Sequence, residues 1–147
     1  MASYLLDTNI LLRSADDKSA QHLEAQKAVA RLLGQGDDCY LTPQMLIEFW
    51  AVATRPVSAN GLGWNVAKTQ AEIDQLLDQF PLLEDTPEVF QHWLALVISH
   101  TVMGKRVHDI RILAVMQTHA ISHLLTFNVD DFPQPLGVTI VHPSGVV

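Results

Sequence analysis

The sequence predicts an α/β fold in which a parallel sheet is covered by helices on both faces. Short apolar runs alternate along the chain with segments of helical period, the pattern left by crossover connections between parallel strands. Polar Asp and Asn residues stand directly after two of those runs, where open α/β sheets place their ligands. A chain of 147 residues that is 48% hydrophobic and 17% charged also has enough apolar material for one core.

Each element has its own signal. Residues 3–7 read as a buried strand ending in Asp7. Residues 19–33 carry Leu23, Val29, Leu32 and Leu33 among polar residues, and Gly34 and Gly36 stop that helix. Residues 39–41 are a second short strand. Thr42-Pro43 starts a helix, a cap followed by proline in the first turn, that runs to about Thr54 before Arg55-Pro56. Residues 57–64 are a loop, and Asn65 caps a helix reaching about Gln79. Residues 81–84 suggest a third strand. Thr86-Pro87 opens a helix with Val89, Phe90, Trp93, Leu94 and Val97 inward, closed near Gly104. A helix over about 109–121 follows, then strands at 124–127 and 138–141, so the sheet should hold about five strands.

Charge and cysteine content narrow the function. The formal net charge of −7 argues against a protein that coats nucleic acid nonspecifically. It leaves room for a nucleic-acid enzyme with a few Arg and Lys beside a metal site. The single Cys39 excludes an internal disulfide framework and a thiolate zinc cluster, and a reducing cytoplasm is the expected compartment. No basic leader precedes Asp7, and no apolar stretch approaches the roughly 20 residues of a membrane span.

Four acidic or amide positions stand out. Asp7 ends a run typical of a central parallel strand; a helix cap or turn is the plainer role for Asp-Thr-Asn. At about 100° per residue, Leu113, Met116 and Ala120 cluster around the direction of Asp109, which puts a carboxylate on the apolar face of its helix. That is costly unless something pairs with it, whereas a plain N-cap would not need to face the core. Glu48 lies at the edge of the stripe formed by Met45, Phe49 and Val52, where a surface Glu is the commoner case. Asn128 follows a buried strand, with Asp130 and Asp131 within one turn; an Asx turn explains these equally well. Gathered at one sheet edge, such carboxylates would repel and raise each other's pKa, and a divalent cation would remove that penalty. All-oxygen ligation suits Mg²⁺ or Mn²⁺, and the chemistry implied is phosphodiester hydrolysis.

These residues make the chain resemble a PIN-domain ribonuclease of the VapC toxin type. The resemblance spans nearly the whole chain, as a single PIN-like domain over 1–147. It rests on Leu6-Asp7-Thr8-Asn9-Ile10-Leu11-Leu12, on Thr42-Pro43-Gln44-Met45-Leu46-Ile47-Glu48-Phe49, on Val107-His108-Asp109-Ile110-Arg111-Ile112-Leu113-Ala114, and on Leu125-Thr126-Phe127-Asn128-Val129-Asp130-Asp131-Phe132, in that order. It implies a three-layer α/β/α fold, Mg²⁺- or Mn²⁺-dependent endoribonuclease activity, a homodimer and a cognate VapB-like antitoxin. Asp7, Glu48 and Asp109 match the family's first three acids. Where many members have a fourth Asp this chain has Asn128, and Asp131 is the candidate for the missing carboxylate.

On this reading Asp7 and Asp109 hold the ion, Glu48 ligates it or orients the attacking water, and Asn128 and Asp131 act through water. Thr8 and Asn9 bond the scissile phosphate or fix the carboxylates. Arg13, Arg55, Lys105, Arg106 and Arg111 are candidates for the RNA backbone, though solvated charge is the ordinary role of each. Single-stranded or looped RNA fits a recessed acid site better than duplex. His119 and His123 lack the neighbouring Glu of a metalloprotease pattern. Trp50 and Trp64 are more readily core or dimer-seam residues than base-stacking platforms. Two rivals stand beside the nuclease. One is a PIN-fold RNA- or protein-binding module of weak activity. The other is a phosphotransfer domain using Asp7, although Asn9 stands where a haloacid-dehalogenase-like enzyme needs a second Asp.

Overall fold

The computed structural model describes residues 1–132 and 137–146. The strands are β1 (Ser3–Leu6), β2 (Asp38–Tyr40), β3 (His123–Leu125) and β4 (Thr139–Val141). The helices are α1 (Thr8–Ala15), α2 (His22–Gly34), α3 (Pro43–Thr54), α4 (Val66–Gln79), α5 (Pro87–Ser99) and α6 (Val107–His119). The four strands form one parallel sheet in the order β2-β1-β3-β4, with Tyr4 opposite both Cys39 and His123.

The order of connections explains the layers. From β1 the chain moves outward to β2 and then to residues 81–84, and it returns through α5 and α6 to β3. Parallel crossovers are right-handed, so the outward helices α1–α4 lie on one face and the returning α5 and α6 on the other. Packing agrees: α1 contacts α2 and α3, α3 contacts α4, and α5 packs along α6. Leu5, Leu6, Leu124 and Leu125 are fully buried between these layers. No helix among the described residues is long and apolar enough to cross a membrane.

Local signals set several boundaries as expected. Thr42 accepts from the Met45 amide at 3.4 Å and Asn65 from the Lys68 amide at 2.8 Å, so both caps satisfy orphan donors at the starts of α3 and α4. The loop before α4 turns back onto α3, with Leu62, Gly63 and Trp64 amides bonded to the carbonyls of Val52, Arg55 and Ala53. Gly61 is required there, because a Cβ would lie 2.0 Å from the Arg55 carbonyl oxygen.

Three expectations need correction. The strand at 81–84 is reduced to a single bridge, Leu41 with Leu82. The Leu41 amide bonds Pro81 O and the Leu83 amide bonds Leu41 O, and Pro81 itself has no N–H with which to extend the ladder. Helix α1 was signalled only by the capping chemistry of Asp7, because Ile10, Leu11 and Leu12 form a continuous apolar run in which no helical period shows. On α5 only Val89 is buried, while Phe90 is 62% and Leu94 40% exposed. That helix packs on α6 through the strip of Val89, Trp93 and Leu96, and Phe90 lies one helical step off it.

Candidate active site

Strands β1 and β3 are neighbours, and the chain leaves them in opposite directions, towards β2 and towards β4. Their carboxyl ends therefore flank a crevice of the kind that takes ligands in open α/β sheets. Asp7 stands at the mouth of β1 and Thr126 at the mouth of β3. The Asp7 amide continues the ladder to Leu125 O at 3.0 Å, and the Thr126 amide bonds Val141 O at 3.0 Å.

Asp7 is 7% exposed and caps α1, so the cap role and the site role coincide in one residue. Its Oδ1 accepts from the Thr8 amide at 2.7 Å; its Oδ2 accepts from Thr126 Oγ1 at 2.8 Å and Asn9 Nδ2 at 3.3 Å. Burial pushes the Asp7 carboxyl up to about 6, against the hydrogen bonds from Thr126 and Thr8, and the charges of Glu48 and Asp109 push the same way as burial. Asp109 is the third residue of α6, not its cap, and half-buried. Its pKa is raised first by burial, then by the charges of Asp131 and Glu48, with Arg106 and His108 opposing.

Glu48 approaches from α3, on the other face of the sheet from α6. Its Oε2 accepts from Thr8 Oγ1 at 2.8 Å and its Oε1 from Gln44 Nε2 at 3.0 Å. Three carboxylates from three distant stretches of chain thus meet in one electrostatic neighbourhood over the carboxyl edge. Among the described residues the recorded ion pair is Arg111 with Asp85, so no Lys or Arg contacts these acids directly.

The fourth acidic region is looser. Asp131 belongs to a 3-10 turn, Val129–Asp131, and is close enough to Asp109 to perturb it. Asn128 is exposed, and its side chain makes no cap bond; its amide instead donates to Thr126 Oγ1 at 3.0 Å. Lys105, Arg106, Asp109, Asp130 and Asp131 line an open cleft of about 530 Å³. Arg106 is anchored there by a bond from its guanidinium to Asp131 O at 2.9 Å.

Thr8 and Asn9 have their side chains engaged with the acids, Thr8 to Glu48 and Asn9 to Asp7 and Thr126. Arg111 lines an open cleft with Phe90, Trp93 and His108, and its guanidinium is paired with Asp85 at 3.0 Å and bonded to Gln44 Oε1 at 3.1 Å. Arg55 is exposed at the end of α3, and Arg13 bonds Gln21 through Nε. Sequence reasoning missed Thr126 and Gln44 as site residues. Thr126 could have been found, because a hydroxyl fully buried after a strand needs partners. Gln44 had no such signal.

The donor set suits a hard divalent cation, being all oxygen and lacking contact with cationic side chains. Among the described residues no three acidic, imidazole or thiol groups form a ready-made cage. One or two of these carboxylates, with water completing the shell, is the manner in which Mg²⁺ is usually held. Asp7 keeps one lone pair free for this, on Oδ1, since its two oxygens accept three bonds in all.

A family model described as PIN domain matches residues 4–135. No curated protein sequence matches the chain significantly. The fold is similar to that of VapBC-1 from nontypeable Haemophilus influenzae, at TM-score 0.69 and 17% identity, over 97% of this chain and 98% of that one. It is similar to VapBC2 from Rickettsia felis bound to a fragment of promoter DNA, at TM-score 0.67 and 14% identity, over 95% and 98%. VapC20 from Mycobacterium tuberculosis, a sarcin-ricin loop cleaving toxin, matches at TM-score 0.58 and 18% identity, over 82% and 86%. At these identities the likeness is one of fold.

Proposed function

The chain belongs to the PIN domain family, and from that premise we propose that it is a metal-dependent endoribonuclease, the toxin of a VapBC-type pair. What supports this reading is the electrostatic coupling of Asp7 with Glu48 and Asp109 beside the β1–β3 crevice, with Thr8 bonded to both Asp7 and Glu48 and, among the described residues, no basic side chain in contact with the three acids. Asp7 and Asp109 would hold Mg²⁺ or Mn²⁺, with Asp131 and Asn128 acting through water. A bound ion of this kind lowers the pKa of a water and offsets charge on a phosphoryl oxygen.

The chain's own residues do the rest. Thr8, Asn9 and Thr126 fix the Asp7 carboxylate in one orientation. Glu48, held on both oxygens, orients the attacking water or contributes a ligand. Lys105 and Arg106 border the cleft beside Asp109 and attract the RNA backbone, for which a single strand or loop is the expected form. A VapB-like antitoxin and a second copy of the chain are the partners in this reading. The exposed Phe90, Leu94 and Ile98, four apart on α5, supply apolar surface for such a copy. The buried Cys39 thiol, pushed up to about 12 first by burial, is inert.

The neutral, exposed Asn128 and, among the described residues, the absence of a preassembled cage favour one second reading, a PIN-fold binding module of weak turnover. One experiment separates them. RNA is incubated with purified protein in Mg²⁺ or Mn²⁺ and in EDTA, alongside Asp7→Asn and Asp109→Asn. Cleavage that needs the ion and is lost in both variants is expected of the nuclease. Tight Mn²⁺ uptake without cleavage of any RNA supports the module, and undiminished cleavage by both variants refutes the site.

A further inference from the structure

We propose that Gln44 is the positioning residue of this site, and that Arg111, clamped by Asp85, serves by fixing the Gln44 amide rather than by binding phosphate. The inference rests on the reading of Asp7, Glu48 and Asp109 as the functional acids.

The chemistry of the partners allows one orientation of the Gln44 amide. Arg111 Nη1 lies 3.1 Å from Gln44 Oε1, and a guanidinium only donates. Gln44 Nε2 lies 3.0 Å from Glu48 Oε1 and 2.9 Å from His108 O, and a carboxylate and a carbonyl only accept. Each amide hydrogen of Gln44 thus has its own acceptor, and the amide oxygen has a charged donor. A flipped amide would set oxygen against two acceptors and N–H against a donor.

These bonds cross the molecule at a decisive place. Gln44 and Glu48 are one turn apart on α3, on one face of the sheet. His108 precedes Asp109 in the first turn of α6, on the opposite face. Gln44 therefore holds one oxygen of Glu48 and, through the His108 carbonyl, the turn that carries Asp109. Those two carboxylates repel, as the effect of Glu48 on Asp109 records. A strut between their helices keeps that repulsion from opening the site.

Arg111 completes the strut. Its Nη2 pairs with Asp85 at 3.0 Å while its Nη1 meets Gln44. The two contacts use different arms of a rigid fork, so the guanidinium is oriented and its charge balanced before any RNA arrives. An arginine spent in this way adds little to phosphate binding, and its removal acts through Gln44 on Glu48.

The test compares Gln44→Met, Arg111→Met and Arg111→Lys with the wild-type protein. In RNA cleavage, both Met variants are expected to lose ten- to a hundredfold in kcat with KM within twofold, and Lys, which can still donate to Gln44 Oε1, to recover part of the loss. The salt dependence of RNA binding is expected to be unchanged in Arg111→Met, whereas loss of a phosphate contact would flatten it by about 0.7 in log–log slope. Unchanged kcat in both Met variants, or a flattened slope with raised KM in Arg111→Met, overturns the proposal. A readout free of RNA and metal separates its failure from failure of the nuclease reading: the NMR order parameter of the Gln44 side-chain amide. A rigid amide in wild type that becomes mobile, below about 0.6, in Arg111→Met supports the strut; a mobile amide in wild type overturns it.

Discussion

Thr126 Oγ1 donates to Asp7 Oδ2 at 2.8 Å across the mouths of β1 and β3, joining two residues 119 apart in sequence. The same oxygen accepts from Asn9 Nδ2 at 3.1 Å and from the Asn128 amide at 3.0 Å, so its one donor and two acceptor sites are all used. Replacing it with the isosteric Val is expected to destabilise the protein by about 2 kcal/mol, since Asp7 loses a buried donor and Asn9 and the Asn128 amide lose a partly buried acceptor. Urea denaturation measures this, and cleavage assays on the same variant should show a loss of at least tenfold.

The pH dependence of stability follows from Asp7. Its folded pKa of about 6 stands above the ordinary 3.8, so the folded state binds the proton more tightly than the unfolded chain. The associated stability is present below pH 3.8 and is lost as pH rises through about 6. Two units correspond to about 3 kcal/mol. In EDTA, the difference in unfolding free energy between wild type and Asp7→Asn should move against wild type by up to that amount from pH 4 to pH 7. A difference constant across this range would contradict the assignment.

Metal addition should reverse that cost. Ions that bind only the folded state stabilise by about 2.7 kcal/mol at a hundredfold excess over Kd, or roughly 5–10 °C in Tm for a chain of this size. Scanning calorimetry with Mn²⁺ is expected to show this rise in wild type at pH 7.5. Asp7→Asn and Asp109→Asn should show little of it, and a full rise in both would place the ion elsewhere.

Two glycines should respond in opposite senses to alanine. Gly61→Ala would put a Cβ 2.0 Å from the Arg55 carbonyl oxygen, which is backbone and cannot swing away. A loss of about 2 kcal/mol or more is expected as the turn onto α3 opens. Gly34 closes α2 with nothing within 4 Å of its missing Cβ, so Gly34→Ala should add up to about 1 kcal/mol. Thermal unfolding of the two variants checks both signs.

Local chemistry made much of this architecture legible in advance. Thr42-Pro43 and Asn65 mark helix starts because capping depends on residues within three positions of each other, and α3 and α4 begin where those signals stand. Asp7 and Asp109 declared themselves because a carboxylate beside a buried strand or on an apolar helix face conflicts with its surroundings. Burial does raise the pKa of each. Beyond the Asp7 cap, helix α1 stayed hidden because three consecutive apolar residues carry no period, and the exposure of Phe90 because a hydrophobic stripe does not say how wide a neighbour will cover it. The partnerships were beyond any local pattern. Whether Arg111 meets phosphate or Asp85, and whether Gln44 points to solvent or spans two helices, depends on crossovers that bring α3 and α6 over one sheet edge. Spacing along a chain encodes a helix face, but the distance between faces of different helices exists only once the sheet has ordered them.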